Sequence, residues 1–234
     1  MVRVLLFLFI VILTLPGEAQ DDDLYFSEAL SMYLPKYVSK AQEAYLDDNV
    51  QRANFLFDSL VNNCLKGSYL DNFKVKNLKN KVIPLEKLDK PTYLITNASW
   101  IVPTKGEIPA LNALAEKYQD KIDFVVIFWD KRKTARDLAK QYHKSVKVYF
   151  VDELSNESNY VIRNLKHSLG VPTSFLLTEE KKIVDIKRSI THPYAVAKNE
   201  SFELNHKAFS EGISQLLLQD SSELSEHSAE TRLP

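Results

Sequence analysis

Three short apolar runs constrain this chain more than any other feature. Residues 92–96 read TYLIT, 124–129 read FVVIFW and 146–151 read VKVYFV. Each is short and rich in β-branched and aromatic residues, which marks a strand rather than a helix. The middle run has no polar position, so its strand is buried on both faces. A sheet buried on both faces needs a helical layer on each. The intervening segments supply those layers. Residues 109–118 place Leu111, Leu114 and Ala115 on one helical face, 134–143 read as a second helix, and 160–169 as a third that Gly170 ends. Residues 174–177 and 183–187, with a turn at 178–182, read as a closing hairpin, and 202–218 as a last helix. Residues 73–75 and 82–85 read as short extended pieces. Strands alternating with helices imply parallel pairing, and the hairpin adds an antiparallel edge. The expected fold class is α/β, a three-layer α/β/α sandwich on a mixed sheet.

The N-terminal part follows a different period. Residues 1–20 carry Arg3, an apolar run over 4–15 broken only by Thr14, then Pro16-Gly17 and small residues at Gly17 and Ala19. This is the pattern of a cleaved export signal, and the run is shorter than the roughly 20 residues a spanning helix needs. An uncleaved anchor is the alternative. No later segment is long and apolar enough to cross a membrane, so no integral segment is expected after cleavage. Over 21–70, Phe26, Leu30, Tyr33, Leu34, Tyr37, Ala41 and Ala44 recur at helical spacing, and Ala53, Leu56, Phe57, Leu60, Val61 and Cys64 form a second stripe after a polar turn at 47–49. The expectation is an α-helical hairpin, with Pro35 kinking or dividing its first helix. A sandwich domain over 71–218 and a disordered Ser- and Glu-rich tail over 219–234 complete the expected organisation.

Composition removes several function classes. The formal net charge is −1 and no dense Lys/Arg block exists, so nucleic acid is not expected as a partner. Five glycines form no phosphate-cradling loop. The five histidines are scattered, without metal-ligand spacing, so neither a metal nor a cofactor is expected. The single cysteine, Cys64, cannot form an internal disulfide or run a dithiol cycle within one chain. It lies on an apolar stripe, where a thiol behaves as a small hydrophobe.

Residues 97–111, NASWIVPTKGEIPAL, leave the first buried strand and open a helix. They resemble the redox motif of thioredoxin-like proteins of the TlpA/redoxin kind, A-T-W-C-x-P-C followed by E-I-P-x-L. Ala98, Trp100, Pro103, Glu107, Ile108, Pro109 and Leu111 match, and Gly170-Val171-Pro172-Thr173 matches that family's cis-proline loop. Ile83-Pro84-Leu85 and Leu88 fit its lead-in, and the order of elements fits as well. The resemblance implies a thioredoxin-like fold over about 73–218 and a cis bond at Pro172. It departs at the chemistry: Ile101 and Thr104 stand where the two catalytic cysteines belong. Dithiol chemistry needs a thiolate at the helix N-terminus and a second thiol one turn on. Isoleucine and threonine supply neither, although the Thr104 hydroxyl can cap the helix.

The expected function is an exported, periplasmic, envelope-associated or secreted protein that has lost oxidoreductase chemistry. It is expected to bind a peptide or envelope protein at a surface of Trp100, Ile101, Val102, Pro103, Thr104, Val171 and Pro172, through strand-like backbone pairing. Two alternatives stay open: a thiol-dependent redox role through Cys64, and a structural subunit of an envelope assembly.

Overall fold

The computed structural model describes residues 23–155, 159–190, 192–193 and 195–230, with side chains to 219. The expected signal at 1–20 lies outside the described residues, as do 231–234 of the expected tail. Two antiparallel helices, α1 (Phe26–Leu46) and α2 (Val50–Leu60), come first, and α2 runs into a π-helical turn at Val61–Leu65. Asn49 caps α2 by accepting the Arg52 N–H at 2.9 Å. Strands β1 (Lys74–Asn77), β2 (Val82–Pro84) and β3 (Thr92–Asn97) follow. Helix α3 (Glu107–Tyr118), β4 (Asp123–Phe128), α4 (Arg132–Ala139) and β5 (Val146–Phe150) complete the first crossovers. A short helical segment, α5 (Asn159–Val161) continued as a π-helix over Ile162–His167, leads to β6 (Thr173–Leu177), β7 (Ile183–Arg188) and α6 (Lys198–Glu230).

The seven strands lie in the order β2-β1-β5-β4-β3-β6-β7. Strand β4 pairs in parallel with β3 and β5, whereas β6 runs antiparallel to β3 and β7 antiparallel to β6. β4 is buried throughout, and its side chains alternate between two cores. Phe124, Val126 and Phe128 enter one with Leu111 and Leu114 of α3 and Ile213 and Leu216 of α6; Val125, Ile127 and Trp129 enter the other with Phe26, Phe57, Leu65 and Leu165. This is the expected three-layer arrangement on a mixed sheet. A bulge at Leu176/Leu177 shifts the β6–β7 register, which lets Ile183 and Ile186 enter the same core despite their odd spacing.

The hairpin is part of this core. Phe26 is fully buried and meets Phe175 edge to face at 5.5 Å. The chain after α2 pairs with the sheet edge: Gly67 N–H donates to the Ile183 carbonyl at 2.9 Å, Ile183 N–H to Ser68 at 2.8 Å and Leu70 N–H to Lys181 at 2.8 Å. Asp71 accepts from both the N–H and the hydroxyl of Ser27 and from the Tyr160 hydroxyl, at 2.9, 2.6 and 2.5 Å. The start of the β7 edge is thereby covered.

Two expectations are corrected. Pro35 does not divide α1, which runs unbroken because Ala29 and Leu30 before the proline and Ala41 and Ala44 after it are all buried. The last helix starts at Lys198 rather than 202 and continues to Glu230, where a disordered tail was expected from 219.

Replacing Phe26 by alanine removes a buried ring that joins hairpin and sheet, and it should cost about 3–5 kcal/mol. Urea denaturation monitored by circular dichroism is expected to show one transition displaced as a whole. A transition of the sheet that stayed in place would mean that the hairpin folds on its own.

Candidate binding site

The loop 97–106 leaves the C-terminal end of β3, where ligands of open α/β sheets bind. Asn97 Oδ1 accepts the Ala98 N–H at 2.8 Å, and the Ile101 N–H closes a turn on the Ala98 carbonyl at 3.0 Å. Ser99 fixes the loop to the neighbouring strand, its N–H and hydroxyl both donating to the Asp130 carboxylate, at 2.7 and 2.5 Å. The second loop enters the sheet beside it. Thr96 faces Thr173 in the β3–β6 register, and the Thr96 hydroxyl donates to the Thr173 carbonyl at 3.2 Å. Gly170 turns that loop with φ +82°, and the Val171–Pro172 peptide is cis.

The sequence-derived site residues divide by exposure. Trp100 is 63% exposed and Val102 78% exposed. Pro103, Thr104 and Pro172 are half-buried, and Ile101 and Val171 pack partly buried against the same core face. Among the described residues, no hydrogen bond engages the N–H or the carbonyl of Val171. Cys64 is half-buried and opens on a groove between α1 and α2, which no residue of the two loops lines.

The N-terminus of α3 is satisfied in a way the sequence did not suggest. Thr104 does not cap it with its hydroxyl. The Thr104 carbonyl accepts the Glu107 N–H at 3.1 Å, the Thr104 N–H donates to Glu107 Oε2 at 3.2 Å, and its Oγ1 accepts from Asn205 Nδ2 at 2.9 Å. The Gly106 N–H donates to Ser201 Oγ at 2.8 Å, which also lies 2.9 Å from His192 Nε2. Ser201 and Asn205 are buried on the first turns of α6. Gly106 is required there, since a Cβ would lie 2.1 Å from the Phe202 nitrogen. Ser201 and Asn205 escaped the sequence reading because they meet the start of α3 from 95 and 101 residues away, and His192 because it acts through Ser201, with no local motif.

Behind this contact lies a cavity of about 190 Å³, lined among others by Tyr93, Glu107, Ser174, Asn205 and Phe209. Burial pushes the Glu107 carboxyl above the ordinary glutamate range, opposed by the hydrogen bonds from Thr104 and by His192. Burial likewise raises the Tyr93 phenol. Among the described residues no cluster of His, Cys, Asp or Glu is arranged to hold a metal. The two cysteine positions hold Ile101 and Thr104, so the loop contains no thiol.

Strand order, parallel crossovers through β3–β4–β5, the antiparallel β6–β7 edge and the loop ahead of α3 define a thioredoxin-like fold. Solved structures of the same type resemble the chain. A candidate thiol:disulfide interchange protein DsbE from Chlorobium tepidum matches with a TM-score of 0.49 and 22% identity, over 64% of this chain and 97% of that one. A thio-disulfide isomerase from Thermus thermophilus matches with a TM-score of 0.45 and 22% identity, over 54% and 88%. A secreted Mycobacterium tuberculosis disulfide oxidoreductase matches with a TM-score of 0.43 and 15% identity, over 59% and 96%. At these values the fold assignment rests on the chain's own topology. No family model and no curated protein matches the sequence.

Because the folded-state pKa of Glu107 lies above the unfolded value of about 4.3, the folded state binds the extra proton. Stability therefore falls as pH rises through that window. Glu107→Gln keeps an acceptor for Thr104 and removes the ionisation. Its melting temperature relative to wild type should rise between pH 4 and pH 8 (about 4 and 8, bracketing the glutamate range). A difference that does not change with pH would show that burial does not raise the carboxyl above its ordinary range.

Proposed function

We propose that this chain is an exported thioredoxin-like protein that acts by holding an extended peptide or a segment of an envelope protein, and that it carries out no dithiol exchange. The supporting observations are the Val171 backbone, which no hydrogen bond engages among the described residues, and the exposure of Trp100 and Val102 on the loop of the neighbouring strand. A strand-like segment laid beside Val171 gains backbone hydrogen bonds, and its side chains gain an apolar platform. An exposed tryptophan next to unpaired backbone is the composition of a binding hot spot. Ile101 and Thr104 remove the redox couple but keep the shape of the loop. The signal-like pattern of residues 1–20 supports a location outside the cytoplasm, in the periplasm or at the envelope.

The chain has two tryptophans, and Trp129 is buried, so acrylamide quenching reports mainly on Trp100. Adding a carboxymethylated, permanently unfolded model protein should protect Trp100 from quenching. Replacing Val102 by aspartate should weaken that binding at least tenfold, about 1.4 kcal/mol. Absence of both protection and weakening would sink the proposal.

A disulfide-reduction assay decides the chemistry. The native chain should be inactive and Ile101→Cys/Thr104→Cys should gain activity. Native activity abolished by Cys64→Ser would instead assign a redox role to Cys64.

A further inference from the structure

We propose that the outer groove of the helical hairpin is a second docking surface, shaped for an acidic amphipathic helix of a partner protein. The inner stripe of α1, Phe26, Ala29, Leu30, Ala41 and Ala44, is spent on the core. The same stripe continues through Tyr33 and Tyr37, and Tyr33 is 41% exposed, so part of the apolar face of α1 is left open beside α2.

Between the two helices this side forms a groove of about 310 Å³. Its floor is Tyr37, Leu56, Leu60 and Cys64, and its rim carries Lys36 and Lys40. No carboxylate lines the groove. Among the described residues neither ammonium has an ion pair or a side-chain hydrogen bond, although Glu43 stands only three residues beyond Lys40. Two cations one helical turn apart above an apolar floor complement one particular partner. It is a helix with carboxylates one turn apart on one side and large apolar residues at the adjoining i, i+3, i+4 positions. The charge favours this occupant over a basic or neutral one.

The surface is separate from the Trp100–Pro172 loops, so its failure leaves the preceding proposal standing. The test uses the mature chain and two fluorescein-labelled helical peptides of identical leucine pattern, one with glutamate and one with lysine at the polar positions. Fluorescence anisotropy should show binding of the glutamate peptide, weakened tenfold or more by Lys36→Glu/Lys40→Glu and weakened by added salt. The bound peptide should also slow maleimide labelling of Cys64. Equal binding of both peptides, no binding, or binding unmoved by the charge reversal overturns the proposal. Two further outcomes overturn it by naming another occupant. One is capture by phosphatidylglycerol vesicles that the double variant loses while no peptide binds. The other is a dimer in light scattering that Tyr33→Glu dissociates.

Discussion

Burial of β4 on both faces is the constraint on which the rest of the structure depends. Six consecutive residues, Asp123–Phe128, have no solvent-facing side. Each face therefore needs its own cover. On one face α3 and α6 provide it, with Leu111, Leu114, Ile213 and Leu216 meeting Phe124 and Val126. On the other, the helical segment after β5 contributes Val161, Ile162 and Leu165, and the N-terminal hairpin contributes Phe26, Phe57, Leu60 and Leu65. Burying a side chain of that size contributes roughly 1.5–3 kcal/mol. The hairpin thus holds the sheet as much as the sheet holds the hairpin. With both faces closed, the loops at the C-terminal ends of the strands are what the sheet leaves free to bind.

The same logic explains the α3 N-terminus. A helix start leaves backbone N–H groups without intrahelical partners. In a redox-active arrangement those groups would face a thiolate. Here two of them are taken up internally: Gly106 donates to Ser201 Oγ, and Glu107 donates to the Thr104 carbonyl. The contact with α6 is so close that Phe202 backbone occupies the space of a Gly106 side chain. What the loop leaves exposed is apolar surface at Trp100 and Val102, and among the described residues no hydrogen bond engages the Val171 backbone. These are the features on which the proposed binding of an extended chain rests.

The sheet was legible in the sequence because its signal is local. A run such as FVVIFW has no polar residue and no helical period, so its state and its two-sided burial follow from six letters. The two loops were legible as a spaced motif. The start of α6 was not, and the reason is physical. Its buried face continues the spacing of Ile213 and Leu216 backward through Phe209 to Asn205 and Ser201, and the last two are polar. A search for apolar periodicity stops where a buried face becomes hydrogen-bonded. Asn205 and Thr104 are 101 residues apart in sequence, so no window could pair them. That Pro35 does not divide α1 has the converse reason. Its local cost of about 3 kcal/mol is offset by burial of Ala29, Leu30, Ala41 and Ala44 on either side, which is a property of the tertiary structure.

The loops and the hairpin groove are joined by one arginine. Arg188 pairs with Thr173 in the β6–β7 register, one residue beyond Pro172. Its guanidinium lies 4.2 Å from the Phe57 ring centroid and donates to the Tyr37 hydroxyl at 3.0 Å. Tyr37 is in turn part of the groove floor. Burial of the hydroxyl raises the Tyr37 phenol, and Arg188 opposes that rise, so the ring stays a neutral acceptor for the cation at any ordinary pH. A side chain that enters the hairpin from the sheet edge thereby ties the strand beside Pro172 to the tyrosine on the floor of the groove.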